Sequence, residues 1–122
     1  MTLVRPRRRP RPFDEGQDPD PRFTLANERT FLAWIRTALG IIAAAVGFEA
    51  FGPEAPEPVR TLLVIGLLAA AIVTAIGCFV RWGAVEAAMR TGRSLPVPAL
   101  APLMSGVLVG AAGTLILVFG VL

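Results

Sequence analysis

Apolar positions fall into three long runs, Thr30 to Phe51, Thr61 to Val80 and about Ala99 to Leu122, broken by short stretches rich in proline, glycine and charge. By their end numbers the runs hold 22, 20 and 24 residues. About 20 helical residues, at 1.5 Å rise each, cross the hydrocarbon of a bilayer. A chain of 122 residues has no polar surface elsewhere with which to shield three such helices from water. The pattern therefore predicts an all-α membrane protein with three transmembrane helices over about 30–51, 61–80 and 99–122, forming one domain over 23–122. Gly92 followed by Pro96 and Pro98 reads as the stop of a second helix that runs on past the membrane through RWGAVEAAMR.

The polar stretches set the direction of the spans. GPEAPEPVR, between the first two runs, carries three prolines, two glutamates and one arginine, whereas the stretch between the second and third runs carries Arg81, Arg90 and Arg93. Arg5, Arg7, Arg8, Arg9, Arg11, Arg22 and Arg29 all precede the first run. Basic loops stay on the cytoplasmic side, so the expected topology is N-terminus in and C-terminus out, in a cytoplasmic membrane. Residues 1–22 interleave five prolines with arginines and four acidic residues, a composition that buries no core and predicts a disordered, Pro/Arg-rich cytoplasmic tail. Because the first apolar run starts only at residue 30 and is long enough to span, it reads as a retained helix and not as a cleaved signal.

Composition narrows the chemistry further. The chain has no lysine, histidine or tyrosine, so all twelve of its basic residues are arginine, and most general bases and the commonest metal ligand are missing. Cys78 is the single cysteine and lies in an apolar run, so one chain forms neither an internal disulfide nor a thiolate metal site, and the residue is expected only to pack. No enzyme activity, cofactor or metal is expected. The net charge of +3 is concentrated in the tail, with no aromatic platform beyond Phe13, and membrane lipid is a better partner for it than nucleic acid.

The first span raises a specific question of charge. At 100° per residue, Arg29, Ala33, Arg36, Gly40, Ala43 and Gly47 fall within a stripe roughly 80° wide. Small residues at this spacing let helix backbones approach closely in membranes, so Ala33, Gly40, Ala43 and Gly47 are candidate helix-packing positions, facing protein and not lipid. Arg29 is close enough to the cytoplasmic end to snorkel to the headgroups. Arg36 lies about 9 Å deep, near the limit of its reach. A charge held inside the bilayer costs about 2.5 kcal/mol or more, so Arg36 calls for compensation by Glu28, by Glu86 or by an acidic residue of another chain, or else for a water-filled pathway. Glu49, at the outer end of the first helix and on the opposite face, is within reach of outer water and is assigned no role.

Phe48, Phe51 and Trp82 near the run ends fit interfacial anchoring, while Trp34 shares a face with Thr30 and Thr37. Gly66, Ala70 and Gly77 in the second run, and Gly106, Gly110 and Gly113 or Ala112 in the third, give those helices small residues at packing intervals. Three spans are too few to enclose a pore, so conduction would require several copies.

LANERTFLAWIRTAL, Leu25 to Leu39, resembles the signature opening of the YidH-like family, small three-span bacterial inner-membrane proteins classed as a domain of unknown function. The resemblance rests on Asn27, Glu28, Arg29, Thr30, Phe31, Leu32, Trp34, Arg36 and Thr37, with Arg81 and VEAAMRTGRSLP resembling the family's basic segment after the second span. It covers about Phe23 to Leu122. The same membrane module occurs in the vacuolar transporter chaperone subunits of eukaryotes, where several copies form a channel for polyphosphate. The resemblance thus implies that Glu28, Arg29, Arg36 and Arg81, the candidate ion-pair residues, line or gate an anion path in an assembly, and that this chain would pass polyphosphate or another anion without making it. Two functions stand side by side: a non-enzymatic homo-oligomer or accessory subunit of other membrane proteins, and an oligomeric conduit for an anion.

Overall fold

The structure, a computed structural model, describes Phe13 and residues 16 to 121. Three helices follow one another: α1 over Pro21–Phe51, α2 over Glu57–Thr91 and α3 over Leu100–Val121. Each is long and apolar enough to cross a membrane. Among the described residues there is no strand.

Helix lengths show where the membrane ends. The 22 residues of α3 extend about 33 Å, close to the hydrocarbon thickness, whereas the 31 of α1 and the 35 of α2 extend about 46 and 52 Å. The excess lies at one end. α1 begins at Pro21, well before the expected span at Thr30, because Asp20 caps it: the Asp20 carboxylate accepts from the Arg22 backbone N–H at 2.9 Å, and proline at N1 costs no hydrogen bond there. The Arg22 guanidinium, and then its N–H, hold the Asp20 carboxyl below the usual carboxylate range. α2 runs through RWGAVEAAMR, as its sequence predicts, and stops at Gly92 in the left-handed region with φ +69°. By the positive-inside argument this overhanging end of the α1–α2 pair is cytoplasmic.

α1 and α2 form an antiparallel hairpin held in one register. At the loop end Arg60 donates to the Glu49 carboxylate at 3.2 Å and to the Glu49 carbonyl, with its guanidinium 5.9 Å from the centre of the Phe48 ring. Moving 22 residues back along α1 and 22 forward along α2 reaches Asn27 and Trp82, where the Asn27 side-chain amide donates to the Trp82 carbonyl at 3.1 Å. Small residues permit the close approach between: Ala38, Ala45, Ala71 and Thr74 are all buried. Ile41, Ala71 and Met104 form a core with Trp34, Leu67 and Val107 packed on it, and the Thr74 hydroxyl, bonded to the Ala70 carbonyl at 2.7 Å, rests 3.6 Å from the Met104 sulfur.

The backbone of α3 comes close to α2 and stays further from α1, which α3 meets through side chains of the core, leaving an apolar crevice lined in part by Ile41, Ala44, Leu67, Leu108 and Ala111. Of the glycines expected to pack in α2 and α3, Gly77 meets a neighbour: a Cβ there would lie 3.0 Å from Leu100 Cδ2, whereas Gly66, Gly106, Gly110 and Gly113 face open space. Gly77→Val is therefore expected to displace Leu100 and loosen α3 at a cost of about 1–3 kcal/mol, while Gly110→Val leaves stability within about 0.5 kcal/mol. Unfolding in detergent, followed by circular dichroism, distinguishes the two.

Candidate functional site

Two groups of polar residues occur near the cytoplasmic end, on opposite sides of α1. The first is the stripe singled out by the sequence. The face of α1 packed on α2 carries Asn27, Trp34, Ala38, Ile41 and Ala45, and at 100° per residue it is centred roughly 160° from the stripe of Arg29, Ala33, Arg36, Gly40, Ala43 and Gly47. Arg29, Ala33, Arg36, Gly40 and Ala43 are accordingly exposed on the single chain, with Gly47 half-buried near the loop end. Glu28 is exposed as well, and among the described residues neither Arg29 nor Arg36 has an ion-pair partner. Thr30 and Thr37, exposed on the flank between the stripe and the packed face, bond back to the carbonyls of Ala26 and Ala33 at 3.1 and 3.2 Å. Trp34, further round towards α2, packs on the three-helix core while remaining beside Thr30.

The second group is buried and lies between the overhanging ends. Glu86 is fully buried; its Oε1 accepts from the Arg90 guanidinium at 3.2 Å and from the Thr24 hydroxyl of α1 at 3.3 Å. The Glu86–Arg90 pair, with side-chain exposures of 0% and 7%, claims the carboxylate that the sequence had offered to Arg36. Helix periodicity explains the pairing, since residues four apart stand one above the other. Arg90 reaches further, donating at 2.8 Å both to the carbonyl of Phe13 and to the Asp18 carboxylate. Trp82 packs among the rings of Phe13, Phe31 and Phe79, with centroids 5.6, 6.2 and 6.0 Å away.

Arg81 belongs to neither group by charge. It is half-buried beside Asn27, Thr30 and Trp34, and its Nε is buried without a hydrogen-bond partner; Glu86 Oε2 is in the same condition. The structure thus separates Glu28, Arg29 and Arg36 from Arg81. From the sequence Arg90 counts only as a basic residue that sets the direction of the spans, and Thr24, Asp18 and Asn27 have no role of their own. The i to i+4 spacing of Glu86 and Arg90 was the one signal that could have found part of this cluster. Cys78 is buried and donates to the Ala75 carbonyl at 3.2 Å. Among the described residues no cluster of carboxylate or thiol groups could hold a metal ion.

Most of the predicted tail, residues 1–12 with 14 and 15, lies outside the described residues. Its last part is placed: Phe13 and residues 16–18 lie against the end of α2, where Arg90 supplies a guanidinium and a carbonyl for them to bond.

Comparison with known proteins reaches the hairpin. The family described as "Domain of unknown function (DUF202)" matches residues 22–88, which take in α1 and nearly all of α2. Inner membrane protein YidH of Escherichia coli is 50% identical over 82 residues, covering 66% of this chain and 71% of the relative. An uncharacterized protein of Mycobacterium tuberculosis is 51% identical over 82 residues, covering 66% of each chain. No solved structure gives a significant match.

Proposed function

The chain belongs to the DUF202 family together with inner membrane protein YidH, as a multi-pass protein of the bacterial cytoplasmic membrane, and from that premise we propose that it acts as a non-enzymatic subunit that assembles with further copies of itself or with other membrane proteins through the outer face of α1. One observation carries this reading: Arg29 and Arg36 project from the face of α1 that the chain's own helices leave uncovered, without an ion-pair partner among the described residues. Arg36, a turn and a half or so into the apolar run, bears most of the cost of charge in hydrocarbon, about 2.5–3.5 kcal/mol on insertion scales. A neighbouring helix can offset that cost with carboxylate or carbonyl groups, and Ala33, Gly40 and Ala43 leave room for its backbone.

The measurement is the mass of the detergent-solubilised protein beside Arg36→Gln, Arg29→Gln and Ala43→Leu. The wild type is expected to be oligomeric or to carry a partner. Arg36→Gln and Ala43→Leu are expected to shift it towards the monomer without loss of helix content, because neither side chain touches α2 or α3. A monomeric wild type that retains full stability would sink the reading.

The same unpaired cations favour a second reading, in which several copies turn Arg29 and Arg36 towards a shared aqueous path for polyphosphate or another anion. Here the arginine variants are expected to keep the oligomer and lose flux. Polyphosphate and chloride flux into liposomes, measured on the same variants, separates conduit from scaffold.

A further inference from the structure

The contact made by Phe13 and residues 16–18 has the features of a specific intramolecular site. Arg90 is the centre. Its guanidinium is almost wholly buried, although three groups of opposite polarity surround it: the Glu86 carboxylate at 3.2 Å on its own helix, the Asp18 carboxylate at 2.8 Å and the Phe13 carbonyl at 2.8 Å. The Phe13 ring lies 5.1 Å from the guanidinium carbon and 5.6 Å from the Trp82 ring, so one phenyl group bridges a cation and an aromatic face.

The backbone contributes as well. Helix α2 leaves its last carbonyls without helical partners, and the Arg90 carbonyl is taken up by the Gln17 N–H at 3.1 Å. Gly16 makes that approach possible. It sits at φ +61°, and a Cβ on it would run into the Arg90 carbonyl oxygen, so the position excludes other residues on two counts. A loose tail drawn in by charge alone would need none of this.

From Arg90 the contacts continue into the helix pair. Arg90 bonds Glu86 Oε1, and the same oxygen accepts from Thr24 on α1. A chain of short contacts, Asp18 to Arg90 to Glu86 to Thr24, thus joins the N-terminal segment to both helices. The two ends of the chain of contacts differ in environment: the Asp18 side chain is 64% exposed, whereas that of Glu86 is inaccessible. A change in the cytoplasm can reach the first and not the second.

We propose that Phe13 and Gly16–Asp18 form a releasable latch, an intramolecular aromatic and carboxylate ligand of Arg90, whose docking clamps the cytoplasmic ends of α1 and α2 and whose release uncovers the guanidinium. Arg90 then keeps Glu86 as its partner, so the helix pair survives release while a cationic, aromatic-lined surface opens at the end of α2. The segment becomes the element through which the cytoplasm acts on the hairpin. This inference goes beyond the assembly role proposed above and does not depend on it.

Amide hydrogen exchange on the full-length protein in lipid nanodiscs tests it. In the wild type the Gln17 amide is expected to exchange at least roughly tenfold more slowly than an unstructured amide. Gly16→Ala, which removes the permitted backbone and leaves every helix residue intact, is expected to return Gln17 to the unstructured rate with protection in the middle of α2 unchanged. Asp18→Asn is expected to give a partial loss. In a Trp34→Phe background, where Trp82 is the single tryptophan, Gly16→Ala is also expected to increase acrylamide quenching as the Phe13 ring departs. The proposal is overturned by a Gln17 amide unprotected in the wild type, by protection that survives Gly16→Ala, by Trp82 quenching that does not change when Gln17 protection is lost, or by collapse of α2 protection in Gly16→Ala.

Discussion

Glu86→Ala is expected to destabilise the hairpin by about 3 kcal/mol, the largest single effect of a side chain in this protein. The magnitude follows from what is left behind. Arg90 is nearly buried, and with Glu86 gone its guanidinium keeps only the Asp18 carboxylate and the Phe13 carbonyl, both from outside the helix pair. The Thr24 hydroxyl loses its acceptor at the same time. Breaking a buried pair from one side costs about 3–5 kcal/mol, and the lower end applies because Asp18 continues to neutralise part of the charge. Glu86→Gln should cost less, since an amide oxygen can still accept from Arg90 and Thr24, although its NH2 would occupy the position of Oε2, which has no hydrogen-bond partner. Removing both charges, as Glu86→Met with Arg90→Met, is expected to be milder than Glu86→Ala alone, because no uncompensated ion remains. Denaturation in mild detergent, read by far-ultraviolet circular dichroism, gives these differences. If Glu86→Ala lost less than about 1 kcal/mol, the pair would have to be hydrated and the burial argument would fail.

Ala45→Leu is expected to cost about 1–3 kcal/mol through overpacking. Ala45 is wholly buried on the α1 face against α2, and the register fixed by Glu49 with Arg60 at one end and Asn27 with Trp82 at the other prevents the helices from sliding to make room. Extra methylenes there must push the helices apart or force strained rotamers. Two positions away, Ala43 lies on the outward stripe, and Ala43→Leu is expected to leave hairpin stability within about 0.5 kcal/mol while disturbing assembly. The two substitutions make the same chemical change on opposite faces of one helix. Equal effects on unfolding would mean that the outward stripe is not free in the folded monomer, whereas the expected split assigns one face to the fold and the other to a partner.

The candidate site was legible in unequal parts. Arg29 and Arg36 stood out because a charge in an apolar run is conspicuous in one dimension, and helical periodicity alone aligns them with Ala33, Gly40 and Ala43. Their exposure on the single chain was not readable, since the small-residue stripe and the alanines of the packed face both satisfy the same rule for close approach. The presence of Ala38 and Ala45 across the helix meant that α1 had two faces able to pack, and the sequence pattern drew attention to the one that carried charge. Trp34 misled for a related reason: its neighbours Thr30 and Thr37 suggested a polar surface, but a large ring one turn inside the membrane finds more contact in the crevice formed with Ile41, Ala71 and Met104.

The chain's own sequence determined what depends on sums over neighbouring residues: three spans from the length and apolarity of the runs, their direction from the distribution of arginine, the continuation of α2 beyond the membrane and its end at Gly92. Transfer of side chains to hydrocarbon and the φ allowed to glycine are local quantities, so each can be evaluated without knowing what lies across the bundle. The tertiary structure decided which face of α1 meets α2, that Glu86 serves Arg90 and Thr24 and not Arg36, and that Phe13 and Asp18 close over Arg90. Apart from Glu86 with Arg90, which stand four residues apart on α2, those contacts join residues 55 to 77 positions apart, as in Asn27 with Trp82 and Phe13 with Arg90. Their energy depends on burial and geometry that exist only once the two helices have come together in register, so no reading along one helix could supply it.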